Sequence, residues 1–174
     1  MTAVGRLPGP VVVMGVSASG KSTVGRLLAE RLGVSFVDAD DLHPPANVAK
    51  MRSGVPLDDA DREPWLDRVG AILADGTEDG VVVACSALRR AYRARLLASA
   101  PATRFVHLDL SEAELARRAG GRVGHFMPAA LLESQLATLE RLAPGEPGIV
   151  VDADGPAERV VDSAAESLSA GSSS

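Results

Sequence analysis

Residues 15–22 of the chain read GVSASGKS, a lysine and a hydroxyl residue at the end of a glycine-punctuated turn. The segment satisfies G-x-x-x-x-G-K-[ST] in full, and the chemistry of that pattern is the holding of polyphosphate. Gly15 and Gly20 allow backbone N–H groups of the intervening residues, Ser17, Ala18 and Ser19, to turn inward around phosphate oxygens. A helix opening at Lys21 adds the partial positive charge of its N-terminus. The Lys21 ammonium is then placed to bridge the β- and γ-phosphates of ATP, and the Ser22 hydroxyl to ligate Mg²⁺. Thr23 follows as a further hydroxyl at the helix start. Such a turn can also bind nothing. Its position tells against that, between the buried-strand run VVVMGV and a helical pattern.

Magnesium takes oxygen ligands, commonly with one or two carboxylates close by. Asp38 and Asp40 supply them in the segment DADDLHPP. In extended geometry the two side chains point the same way, Asp38 toward metal-bound water and Asp40 toward the hydroxyl of an acceptor, whose proton it would orient or accept. Two solvated acids at a turn are the plain alternative. The third apolar run, VVVACS, ends in Cys85 and Ser86 rather than in an acid, which moves the magnesium role to Asp38. Asp109, in FVHLDL, reads as a loop or cap residue, and His107 as a core or edge residue. Ser86 either faces the cleft or caps a helix. Further along, Gly120, Gly121 and Gly124 are interleaved with Arg118, Arg122 and His125. That composition suits a lid closing over phosphates and excluding water, with Arg122 stabilising the transferred charge and Arg118 contacting the nucleotide.

The elements that must position these groups alternate along the chain. Strands are expected at 11–16, 34–37, 81–85, 104–110 and 149–151. Between them, helical spacing runs from Lys21 to Leu32 with Gly33 as its stop, and from Asn47 to Arg52. A further helix is capped by Asp61 and carries Pro64 in its first turn, with Trp65 as an apolar anchor. Another runs through Leu88, Tyr92 and Leu96. Ser111 and Glu114 have the form of a capping box, Pro128 opens a helix carrying Leu132, Leu136 and Leu139, and a last helix covers about 157–168. Strictly alternating strands and helices imply a three-layer α/β/α domain around a five-stranded parallel sheet. The 174 residues suit one such domain, with a loose tail at 170–174.

Composition excludes several classes of function. A net charge of −5 argues against a broad electrostatic grip on nucleic acid. A single cysteine, Cys85, forms no internal disulfide and reads as a small buried hydrophobe in a cytoplasmic protein. No segment reaches the apolar length of a membrane span. NVAK at 47–50 lacks the N-K-x-D of guanine-reading switches.

Beyond the phosphate loop, MGVSASGKST (14–23), DADDLHP (38–44), Asn47 with Lys50 and Met51, SGVPLDDADREPWL (53–66), CSALRRAYR (85–93), and Arg122 with GHFMPAALLESQLATLE (124–140) together resemble the gluconate kinases. These are small P-loop kinases related to the shikimate kinases. The resemblance implies ATP, Mg²⁺ and D-gluconate as reactants, 6-phosphogluconate as product, and a homodimer. It also implies an insertion at about 43–75 forming the sugar-acid side of the cleft and a lid at about 118–128. Arg62 is then the first candidate to grip the gluconate carboxylate bidentately, with Arg52, Arg89 and Arg93 as helpers. His43 and Ser86 would meet hydroxyls, and His125 would close over the acceptor. Other acceptors of the shikimate kinase-like group and a non-catalytic nucleotide-binding module are the alternatives. Two departures stand out. Ala18 replaces a frequent glycine and is expected to be harmless, and Arg141-Leu142 replaces an expected proline-rich step before strand five.

Overall fold

The computed structural model describes residues 9–120 and 129–170. Its centre is a five-stranded, all-parallel sheet of β1 (Val11–Met14), β2 (Ser35–Asp38), β3 (Val81–Ala84), β4 (Arg104–Asp109) and β5 (Gly148–Asp152). The spatial order is β2-β3-β1-β4-β5, with Val13 opposite Ala84 and Met14 opposite His107. The helices are α1 (Lys21–Leu32), α2 (Pro45–Arg52), α3 (Asp59–Asp75), α4 (Arg90–Ser99), α5 (Glu112–Gly120), α6 (Ala129–Thr138) and α7 (Ala157–Ala170).

The inner strands β1 and β3 are apolar on both faces because both faces are covered. Val11 and Val13 of β1 point into a core shared with α1 and α7, through Leu28, Val160, Ala164 and Leu168. Val12 and Met14 point the other way, into a core closed by Trp65, Leu66, Val69 and Leu73 of α3 and Tyr92 and Leu96 of α4. Period-two alternation thus divides one continuous run between two helical layers.

Caps fix where the helices begin and end. Gly33 adopts φ 69° and returns its N–H to the carbonyls of Ala29 and Glu30, closing α1 as expected. The start of α3 differs from expectation. Asp58 is its cap and Asp61 is the third helical residue, each carboxylate accepting the other's backbone N–H in a full capping box. Pro64 therefore lies inside the helix rather than in its first turn. At α5 only half of the anticipated box forms. Ser111 Oγ accepts the Glu114 N–H at 3.2 Å, while the Glu114 carboxylate turns to Arg117 and Arg118.

The route into β5 is secured by ion pairs where a proline-rich step was anticipated. Arg93, with a side chain 0% exposed, grips Glu146 through Nε at 2.7 Å and Nη2 at 2.9 Å, and donates Nη1 to the Ala87 carbonyl. Arg141 pairs with Asp109 at 2.7 Å, which gives that acid a structural partner. Arg93 is thereby fully engaged in tying α4 to the turn before β5, and it is not one of the cations facing the acceptor.

Candidate active site

Parallel strands deliver their following loops to one end of the sheet. Because β2, β3 and β1 are neighbours, that end brings together the phosphate loop after β1, Asp38 at the close of β2, and Cys85 and Ser86 after β3. Gly15 opens the loop at φ 153°, and a Cβ there would stand 2.8 Å from Ser19 Oγ, so the tight turn requires glycine. Gly20, at φ 91°, caps α1. Ala18 also has positive φ, 66°. The alanine departure is therefore not free, since a left-handed L-residue costs about 1–2 kcal/mol.

Lys21 Nζ donates to the Val16 carbonyl at 3.0 Å, folding over the loop it belongs to. Ser22 Oγ donates to Asp38 Oδ2 at 2.6 Å. A hydroxyl and a carboxylate in contact, at the start of a helix whose loop cradles phosphate, are the hard oxygen donors that Mg²⁺ takes. The other Asp38 oxygen accepts the Asp40 N–H at 3.0 Å, and this bond curls the chain. As a result β2 ends at Asp38, and Asp40 lies on a 3-10 turn, Ala39–Leu42, instead of on an extended continuation. Asp40 still belongs to the same charge cluster. The Asp40 carboxyl is pushed above the ordinary carboxylate range by surrounding protein, although one side of it stays open to solvent; Lys21 opposes the rise, and Asp38 and Asp41 add to it. Cys85 beside them is fully buried, and its thiol is pushed up to about 12, chiefly by that burial, which leaves it inert at neutral pH.

The opposite wall is built from His43, at the end of the 3-10 turn, and side chains of α2, α3 and α4. His43 stacks on Trp65 with ring centroids 4.2 Å apart, and Trp65 Nε1 donates to the Ala39 carbonyl at 2.7 Å, anchoring the wall to the 3-10 turn. Burial, followed by the nearby Arg62 charge, lowers the His43 imidazole to about 4, so it is neutral at physiological pH. Its Nδ1 lies 3.2 Å from Nδ2 of the buried Asn47, whose amide also donates to the Asp61 carbonyl. The Asn47 amide can only donate, so Nδ1 accepts and the imidazole proton sits on Nε2. Lys50 pairs with Asp61 at 2.7 Å. Arg62 donates to the Tyr92 hydroxyl at 3.0 Å and lies over its ring, while Tyr92 donates to Asp59. Arg52 and Arg89 are exposed at helix ends. Ser86 is half-buried, and its carbonyl accepts the Gly15 N–H at 3.4 Å. It does not cap α4, which starts four residues later at Arg90.

On the far side of the phosphate loop a cavity of about 420 Å³ is lined by Ala18, Ser19, Gly20, Thr23, Arg118 and Ala153 among others. Arg118 crosses it, bonding Glu114 at 2.9 Å and the carbonyls of Ala153 at 3.0 Å and Ser19 at 3.4 Å. Glu114, held by Arg117 and Arg118, is lowered to about 2. The remaining lid assignments, Arg122 and His125, lie outside the described residues. His107 is buried in β4, as its apolar strand context suggested.

Sequence reasoning missed Tyr92, Asp59 and Gln135. Gln135 Oε1 accepts the Ser17 N–H at 2.7 Å. A glutamine between Leu132 and Leu136, in an otherwise apolar stripe, was the available signal.

Fold and site together define a P-loop kinase. The gluconokinase of Gluconobacter oxydans (strain 621H) is 51% identical to the chain over 155 residues, covering 88% of this chain and 87% of that one. The chain belongs to the gluconokinase family. A thermosensitive gluconokinase of Escherichia coli (strain K12) is 44% identical over 142 residues, covering 80% and 75%, and a family model described as AAA domain matches residues 11–142. The crystal structure of a gluconokinase from Sinorhizobium meliloti 1021 superposes with a TM-score of 0.88 at 49% identity, covering 95% and 94% of the two chains. Shikimate kinase from Aquifex aeolicus shares the fold at TM-score 0.60 and 19% identity.

Proposed function

We propose that the chain is an ATP-dependent gluconokinase, a phosphotransferase acting on an alcohol, which moves the γ-phosphate of ATP to the terminal primary hydroxyl of D-gluconate and yields ADP and 6-phosphogluconate. The observation that carries this reading is that Asp40 feels the charge of Lys21 from the phosphate loop and accepts the His43 N–H on its carbonyl at 3.4 Å, which ties it to the wall of His43, Asn47, Lys50 and Arg62. That wall offers cations for a carboxylate and neutral polar groups for hydroxyls, which is the pattern of a sugar acid.

In this reading Lys21 neutralises charge on the β- and γ-phosphates, and backbone N–H groups at the end of the loop and the start of α1 hold them. Ser22 and Asp38 would hold Mg²⁺, which when bound screens the phosphate oxygens. Asp40 orients the acceptor hydroxyl and takes its proton as the oxygen attacks in line with the leaving ADP. Its raised affinity for protons suits it to that task better than an ordinary surface carboxylate. Arg62, steadied by Tyr92, engages the gluconate carboxylate, with Arg52 and Arg89 at the rim, and His43 donates Nε2–H to a hydroxyl oxygen. Thr23 and Arg118 line the nucleotide side, and Arg122 and His125 belong to a lid at about 118–128, beside an acceptor-binding insertion at about 43–75. A homodimer in the cytoplasm completes the reading; among the described residues no helix is long and apolar enough to cross a membrane.

ADP release measured over a panel of sugar acids, shikimate and nucleotides tests the assignment. Turnover is expected with D-gluconate well above acceptor-free ATP hydrolysis. Equal release with and without gluconate would overturn it and favour a passive nucleotide-binding module.

A further inference from the structure

Helix α6 is tied both to the phosphate loop and to the segment after β3. Its Leu132 and Leu136, with Leu139 just beyond, pack on Val16 of the phosphate loop and on Leu88 after β3. Just past its end the Glu140 N–H donates to the Leu88 carbonyl at 2.7 Å. Between these apolar contacts stands one polar contact, Gln135 Oε1 on the Ser17 N–H at 2.7 Å, spanning 118 residues of sequence. Ser17 is the third residue of the loop, and this bond takes up its N–H and so fixes the main chain of the turn from outside the phosphate side. A leucine at 135 would extend the stripe, whereas glutamine gives up apolar contact to supply an acceptor to the loop main chain.

We propose that Gln135 is a positioning residue for phosphoryl transfer, its side chain carrying the docked position of α6 to the Ser17 amide so that the phosphate loop holds its donor geometry. This inference rests on the kinase reading above but not on the identity of the acceptor.

Two substitutions test it. Gln135→Met keeps length and packing but removes the acceptor; Gln135→Glu keeps an acceptor. Amide hydrogen exchange of ligand-free protein should show Ser17 protected in wild type and in the Glu variant and exchanging roughly tenfold faster in the Met variant. ADP affinity by calorimetry should fall about fivefold or more in the Met variant, and kcat should fall with it at unchanged KM for the acceptor. Ser17 protection and ADP affinity in the Met variant within twofold of wild type would overturn the proposal. Both are read without gluconate, so failure of the sugar-acid assignment leaves them standing.

Discussion

The two walls of the cleft are built from different materials. The donor wall is chiefly main chain, a turn of eight residues shaped by glycine conformations and a helix start, in which Lys21 and Ser22 bring the side chains. The acceptor wall is side chain throughout. Asn47, Lys50, Asp59, Asp61, Arg62 and Tyr92 come from three helices, His43 from the end of the 3-10 turn, and they orient one another through hydrogen bonds and ring contacts. Phosphate is common to every nucleotide, so a rigid backbone cradle serves any acceptor. Discrimination among acceptors has to be written in side chains, where it can change without disturbing the cradle.

Asp40 lies where the walls meet, and breaking it should have the largest effect. Asp40→Asn is expected to lower kcat by about 10²–10⁴-fold while leaving ADP affinity within a few-fold of wild type. Steady-state kinetics with calorimetry reads both.

The walls themselves should separate cleanly. Lys21→Met is expected to cost about 10²–10³-fold in kcat with every acceptor that the enzyme accepts. Arg62→Lys, which keeps the charge but loses the planar fork and its place over Tyr92, should instead raise the gluconate KM about tenfold and leave the ATP KM unchanged. Equal losses in both constants for both variants would erase the distinction.

A smaller effect concerns acid stability of the acceptor wall. The unfolded His43 imidazole takes up a proton near 6.5 and the folded one only near 4. Between those values the unfolded chain binds more protons, so stability falls as pH falls through this window. Relative to His43→Gln, wild type should lose about 1–2 kcal/mol on going from about pH 7 to about pH 4, after discounting for partial exposure, as read from urea midpoints. The smallest effect lies in the donor loop. Ala18→Gly relieves the positive φ of 66° but loosens the unfolded chain, for a net gain of up to about 1 kcal/mol in a thermal melt.

The same contrast explains what could be seen in the sequence. The donor wall is contiguous, and strand, loop and helix each leave local marks, so 15–22 and its flanks were legible residue by residue. Asp38 and Asp40 were legible as a pair, but not in their geometry. Alternation assumed an extended chain, whereas the Asp38 carboxylate captures the Asp40 N–H and winds a 3-10 turn. Arg62 was visible only through family likeness, and its support could not be seen, because Tyr92 lies 30 residues away and the pairing is tertiary. Arg93 looked like the neighbouring arginines until the fold buried it against Glu146, a partner 53 residues distant.

The most direct measurement is the position of the new phosphate. After incubation with ATP, Mg²⁺ and D-gluconate, proton-coupled phosphorus NMR should show one new phosphomonoester coupled to the two protons of a methylene group, as transfer to the terminal hydroxyl requires. A signal split by a single methine proton, or no new monoester at all, would contradict the account of a sugar acid held by its carboxylate with its far end at Asp40.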